Sequence, residues 1–324
     1  MLLRPARHGA WWFVLRAAVT AVGVAVIARS LDLAALARTL GSLDARWLAL
    51  GVALSAVSLY CNVVSWGVLL RDTQRSLTWT QLTSWYVEGT FVGQAVPGGG
   101  DLTRAVEAAR PAGAGPAVAA VLGGRMASAL AMAVIGTAAA IIELPRLGAG
   151  IAIGMALFTF LLLAACAVAL WSENALHRLS NRRFLPIRAV VAASDTFGTY
   201  RRRARLLARC IFAATLGWLV NLGALEAFAR AAGSAPSVSL LAVALPATLV
   251  AGLFPFSING LGVREGVMIG ILVRGGMTAT AAGALAILLD VQTLPFAACG
   301  AVVWLRRTRS RSRRAGETQS APSR

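Results

Sequence analysis

Apolar residues gather along this chain in blocks long enough to cross a bilayer, at about 10–29, 46–70, 116–142, 148–171, 207–229 and 278–305. Each block predicts a transmembrane helix. Two further apolar stretches, about 80–111 and 239–274, are broken in the same way. Pro97, Gly98, Gly99 and Gly100 interrupt the first; Pro255, Gly260 and Gly262 interrupt the second. A Gly-x-x-x-Arg step then restarts each run, from Gly100 to Arg104 and from Gly260 to Arg264. Lipid cannot hydrogen-bond an interrupted backbone, so such a break survives only when buried in protein or lining a polar cavity. Paired interruptions in the two halves of a membrane protein point to a transport site.

The cationic positions set an orientation. Arg4 and Arg7 precede the first block, and Arg71 and Arg75 follow the second. Nine arginines from Arg178 to Arg209 crowd the central loop, and six from Arg306 to Arg314 fill the tail. The positive-inside rule places these regions, and with them both termini, in the cytoplasm. Both ends of 80–111 are then cytoplasmic and both ends of 239–274 external. Each segment enters the membrane and returns, from opposite sides. The expected fold is an all-α polytopic bundle with two inverted-topology re-entrant hairpins. Its repeats, about 46–142 and 207–305, are joined by a basic cytoplasmic loop, 172–206. The alternative makes each break a kinked span or two short spans. The transmembrane domain is expected to occupy 1–305 and a disordered basic tail 306–324.

Composition narrows the class further. Of 324 residues, 58% are hydrophobic and 14% charged, which leaves no room for a separate soluble domain of ordinary size. The net charge is +18 and every basic side chain except the two histidines is arginine. In a soluble protein this would suggest nucleic acid. Here the arginines cluster in loops and tail, so topology and anionic lipid head groups account for them and no nucleic acid partner is expected. Ile187, Val190, Val191 and Phe197 in the central loop either lie on the head groups or belong to a solvated charge cluster. The four cysteines are scattered without metal-ligand spacing. Neither metal nor cofactor is expected. The N-terminal run is read as an uncleaved first helix, too long for a signal-peptide core.

Candidate chemistry concentrates at the breaks. Asp101 or Thr103 would cap the half-helix after the first, and Ser257 or Asn259 the one after the second, leaving N-termini that attract anions. Arg104 and Arg264 stand near those starts. Together they suggest a phosphate site, with Gly100 and Gly260 at the turns. The alternative is local pairing of Arg104 with Asp101 or Glu107, and of Arg264 with Glu265. Arg125 falls about 13 Å into its span at 1.5 Å per residue. An arginine at that depth costs roughly 2.5–3.5 kcal/mol on insertion scales. Gly123 and Gly124 beside it permit close helix approach. Asp290 lies at similar depth and is the expected partner of Arg125. Glu88 is a candidate to meet Arg104, Arg125 or a coupling proton. Glu226 is expected to pair with Arg230 one turn on. Trp66, Trp79, Trp85 and Trp304 are among the tryptophans expected to anchor span ends.

Two stretches resemble a known family. They are Pro97-Gly98-Gly99-Gly100-Asp101-Leu102-Thr103-Arg104 and, more specifically, Ser257-Ile258-Asn259-Gly260-Leu261-Gly262-Val263-Arg264-Glu265-Gly266. Both are similar to the membrane region of the lysylphosphatidylglycerol synthase/flippase family and its stand-alone flippase-like members, over roughly 10–305. The resemblance implies a multi-span bundle that moves a lipid or lipid-linked head group between leaflets. It does not carry over the synthase activity, which belongs to a soluble domain that follows the membrane region in those relatives.

The expectation is a non-enzymatic lipid flippase of a bacterial cytoplasmic membrane. Its substrate would be an anionic or phosphate-bearing lipid, polyprenyl- or aminoacyl-linked lipids included. The alternatives are a membrane-embedded transferase acting on lipid-linked head groups and a scaffold that recruits a partner enzyme of lipid or envelope synthesis. The lipid-binding set would be Arg104, Arg264, Arg125, Asp101, Gly100, Asn259, Gly260 and Glu265, with Glu88 and Asp290 as coupling or ion-pair candidates.

Overall fold

The computed structural model describes residues 29, 32–96, 98–171, 195–253 and 262–319. Most of the first expected span and of the central loop, together with Ser257, Asn259 and Gly260, lies outside them. Among the described residues the regular elements are all helices: α1 (Leu33–Gly41), α2 (Ala45–Thr73), α3 (Trp79–Ala95), α4 (Gly99–Ala112), α5 (Ala114–Ile142), α6 (Leu144–Leu147), α7 (Ala149–Trp171), α8 (Ala204–Ala231), α9 (Val238–Leu253), α10 (Val263–Arg274), α11 (Ala279–Val291) and α12 (Leu294–Gln319).

Helices α2, α5, α7 and α8 are each long and apolar enough to cross a membrane, as is the stretch 279–308. At 29 residues, α2 and α5 each measure about 43 Å, more than the ~30 Å hydrocarbon core. They coincide with expected spans because an unbroken apolar run satisfies its own backbone only as helix. The last expected span differs. It is two helices, α11 and α12, and α12 runs on through Gln319, past the point where a tail was expected to begin. Helix α1, which Asp32 caps by accepting from the Ala34 and Ala35 N–H groups, arises in a loop where no helix was expected.

The chain divides into two compact units. The first comprises residues 1–58, 129–164 and 215–291. Its core holds Leu225, Phe228, Leu240, Leu241, Met268 and Leu285. There α9 packs on α10, α10 on α11, and α11 on α1. Helix α2 approaches α8 at Gly51, where any Cβ would fall 2.5 Å from the Phe228 ring.

The second unit comprises 59–128, 165–214 and 292–324. Val63, Leu69, Leu70, Leu82 and Tyr200 form its core with Trp66 and Trp85. These two tryptophans were expected at span ends; they are buried because α2 and α3 pack their inner faces together, as the Trp66–Tyr86 ring contact records. Helix α3 packs against both α4 and α12. The α12 contact depends on Gly300, where a Cβ would lie 2.0 Å from the Val87 carbonyl oxygen.

Each interrupted segment contributes two described helices that pack on each other, α3 on α4 and α9 on α10. Thr78 and Gln81 form a reciprocal capping box at the start of α3. The chain turns after α3 at Gly98, φ 75°, a left-handed conformation that a side chain would strain.

Candidate functional site

In the second unit the site starts from two glycines. A Cβ on Gly100 would fall 2.6 Å from the Gly89 carbonyl oxygen, so only glycine lets α4 lie this close to α3. The close approach carries Arg104 across α3, where its guanidinium sits 4.3 Å from the centre of the Tyr86 ring. Arg104 Nε donates to the Gly100 carbonyl at 3.1 Å and Nη2 to Asp101 Oδ1 at 2.7 Å. Arg125 reaches the same carboxylate from α5, with Nε 2.8 Å and Nη2 2.7 Å from Oδ2. Helix α5 comes near enough because Gly124 packs on the Trp66 backbone, where a Cβ would already meet Cα at 3.4 Å.

Two guanidiniums therefore share one carboxylate, and among the described residues the cluster keeps one surplus positive charge. It borders a cavity of about 90 Å³ also lined by Asn62, Trp66, Tyr86 and Ser128. Arg104 is nearly enclosed, with its side chain 12% exposed, whereas Arg125 is 63% exposed and open to a ligand. Planar guanidiniums and side-chain amide and hydroxyl donors suit a phosphate or carboxylate oxyanion.

In the first unit, Gly262 caps α10 at φ 84° and its N–H donates to Glu265 Oε2 at 2.5 Å. Arg264 lies on Gly252, whose missing Cβ leaves room for the Arg264 stem, and its Nη2 is 3.5 Å from Asp290 Oδ1. Arg264 Nε is buried without a hydrogen-bond partner among the described residues. Glu265 lies within hydrogen-bonding reach of Asp290. Among the described residues this cluster brings together Arg264, Asp290 and Glu265.

Several expectations change. Arg125 pairs with Asp101, and Asp290 with Arg264; the expected Arg125–Asp290 pair does not form, because each residue has a partner within its own unit. The caps are Gly98 and Gly262, because glycine alone takes the positive φ of each turn freely. Counted from those caps, Arg104 is six residues on and Arg264 two. The position the two helices share is instead the carboxylate three residues on, Asp101 and Glu265, each in a first turn where the helix dipole favours it. Gly100 acts through packing and through its carbonyl.

Glu88 meets neither Arg104 nor Arg125. It pairs with Arg307 of α12, which also pairs with Glu107, while Arg110 joins Glu107 at 3.2 Å. Both glutamates are buried. Sequence reasoning missed Arg307 by assigning it to a tail. It also missed Asn62, Tyr86 and Ser128, single polar residues in apolar helices whose facing no spacing reveals. The Glu226–Arg230 pair forms as expected, with Arg230 stacked over Trp47 at 4.8 Å. Among the described residues no group of His, Cys, Asp and Glu is placed to hold a metal ion.

A helical bundle with several helices long and apolar enough to cross a membrane, and with arginine–carboxylate clusters set among them, defines a multi-pass membrane protein. The chain belongs to the lysylphosphatidylglycerol synthase transmembrane-region family, whose sequence model matches residues 13–300. That places it among membrane proteins concerned with lipid. No curated protein and no solved structure gave a significant match.

Proposed function

We propose that this protein is a flippase that moves an anionic, phosphate-bearing lipid between the leaflets of a bacterial cytoplasmic membrane. The observation that carries the reading is the Arg104–Asp101–Arg125 cluster, with its surplus positive charge at a polar cavity among apolar helices. A bare charge at that depth is costly, so the cluster is best explained by an anion it serves. On this reading Arg125 takes the lipid phosphate, Arg104 supports it, and the acyl or prenyl chains stay in hydrocarbon.

The two helix–break–helix segments act as re-entrant hairpins of inverted repeats, and both termini are cytoplasmic. The 17 residues of α3 measure about 25 Å, short of a full hydrocarbon crossing, which favours this topology. Arg264 serves the phosphate in the first unit, and Asp290, between Arg264 and Glu265, is the group placed to carry a coupling proton. The chain itself transfers no chemical group.

The test is transport of fluorescent phosphatidylglycerol in liposomes reconstituted with purified protein, read by quenching of the outer leaflet. Arg125→Gln should slow translocation about tenfold, the value of one charge-assisted contact, with unchanged thermal unfolding. Translocation at the wild-type rate in that variant would remove the site. Appearance of a modified lipid in detergent, with no second compartment, would point instead to a transferase.

A further inference from the structure

The first unit contains a second feature of lipid shape, whose lining includes none of the charged residues of the clusters described above. An apolar groove of about 850 Å³ runs between α7, α9 and α10, walled by Ile151, Met155, Phe158, Val250, Val267 and Ile271. Its volume falls within the usual range for small-molecule sites. Gly154 and Gly270 also line it, and a Cβ on either would meet nothing within 4 Å. The groove is therefore open at both glycines.

Its length and its end identify the occupant. From Val263 to Arg274 it follows α10 for about 16 Å, roughly half the ~30 Å hydrocarbon core, which is the depth of one leaflet. Arg274 closes it, exposed and without an ion-pair partner among the described residues. The carbonyls at the end of α10 do not need this guanidinium. The N–H groups of Gly275 and Met277 already bond Ile271 and Leu272 at 2.9 and 3.0 Å. Directly beyond, Gly275, Gly276, Ser234, Ser237, Thr278 and Arg146 line a polar hollow of about 610 Å³.

We propose that this groove holds one acyl chain of an anionic phospholipid, with the phosphate on Arg274 and the rest of the head group in the adjoining hollow. The apolar channel, the Arg274 guanidinium and the polar hollow, which Arg146 also lines, follow one another in the order of the parts of such a lipid. The site goes beyond the translocation reading: it lies in the first unit and is defined by retention, whether or not lipid is moved.

The test is native mass spectrometry of the full chain in detergent, titrated with phosphatidylglycerol and separately with phosphatidylcholine. Gly270→Phe, which fills the groove from a position with free space, should lose one retained phosphatidylglycerol per chain. Arg274→Gln should keep the chain contact but lower the preference for phosphatidylglycerol over phosphatidylcholine about fivefold, as removal of one surface cation does. If Gly270→Phe does not fold, Gly154→Leu fills the groove from the opposite wall and should give the same loss. Unchanged retention in the groove-filling variant overturns the proposal. So does an unchanged lipid preference in Arg274→Gln. A change of oligomeric mass without loss of lipid would assign the groove to a second copy of the chain and also overturn it. A translocation defect is not part of this readout, so the flippase reading can fail while this one stands.

Discussion

Arg125 Nη2 lies 2.7 Å from Asp101 Oδ2, and the two residues belong to different helices. Arg104 holds the other oxygen of the same carboxylate at 2.7 Å. Asp101 thus fixes both guanidiniums while neutralising only one. That arrangement positions charge and keeps it available.

Removing the shared carboxylate should make the cluster hungry for an anion. Asp101→Asn leaves the nearly buried Arg104 short of its charged partner and is expected to cost about 1–3 kcal/mol. Inorganic phosphate should recover part of that loss by binding the folded state. Thermal unfolding with and without phosphate checks this; the expected result is a larger phosphate-induced rise in Tm for Asp101→Asn than for the wild type.

The contact between α3 and α4 should tolerate nothing larger than glycine. A Cβ on Gly100 would press on the Gly89 carbonyl at 2.6 Å, and backbone cannot swing away as a side chain does. Gly100→Ala is expected to destabilise by about 1–3 kcal/mol through overpacking. Gly113, after α4, has space but sits at φ 86°, where a side chain would be strained, so the control is made at Gly41, where a Cβ meets nothing. Gly41→Ala should leave the unfolding temperature nearly unchanged.

Arg307 should be worth more than a tail residue. It bridges Glu88 and Glu107, which are 4% and 5% exposed. Arg307→Ala leaves buried carboxylates short of a cation, a loss of about 3–5 kcal/mol for a broken buried pair. Glu107 keeps Arg110, so Glu88 loses most; adding Glu88→Gln removes that charge and should restore part of the stability. Unfolding in detergent of the single and double variants measures both effects.

Acid should weaken the first unit through Glu143, which lies between α5 and α6, outside the spans. Burial works against its carboxylate, but hydrogen bonds from Ser239 and Ser237 and the nearby Arg146 charge outweigh that, so its pKa is lowered. The unfolded chain then binds this proton more readily than the folded one. The resulting stability is fully present above the unfolded value, about 4.3, and is lost as pH falls through the lower folded value. Glu143→Gln should be less stable at neutral pH and should show a shallower decline on acidification. Unfolding temperature against pH for the two proteins tests it.

The positions of the helices were legible in the sequence. Long apolar runs become helices wherever hydrocarbon surrounds them, since no other conformation satisfies an isolated backbone segment. The runs at 46–70, 116–142, 148–171 and 207–229 therefore coincide closely with α2, α5, α7 and α8. The end of α3 at Ala95 and the start of α4 at Gly99 were equally visible, because proline and glycine act locally. Asp101, Arg104 and Arg125 were visible as charges set among apolar residues, and the structure brings the three together.

Which carboxylate meets which arginine was decided only by the tertiary structure. The partners of Arg125, Asp290 and Glu88 depend on helix rotation and depth, which close contacts such as Gly89–Gly100, Gly124–Trp66 and Gly300–Val87 help to set. Hydropathy contains no information about rotation, because a helix apolar on every side has no preferred face. The charge pattern gave the ions of the site; packing at a few glycines chose their pairs.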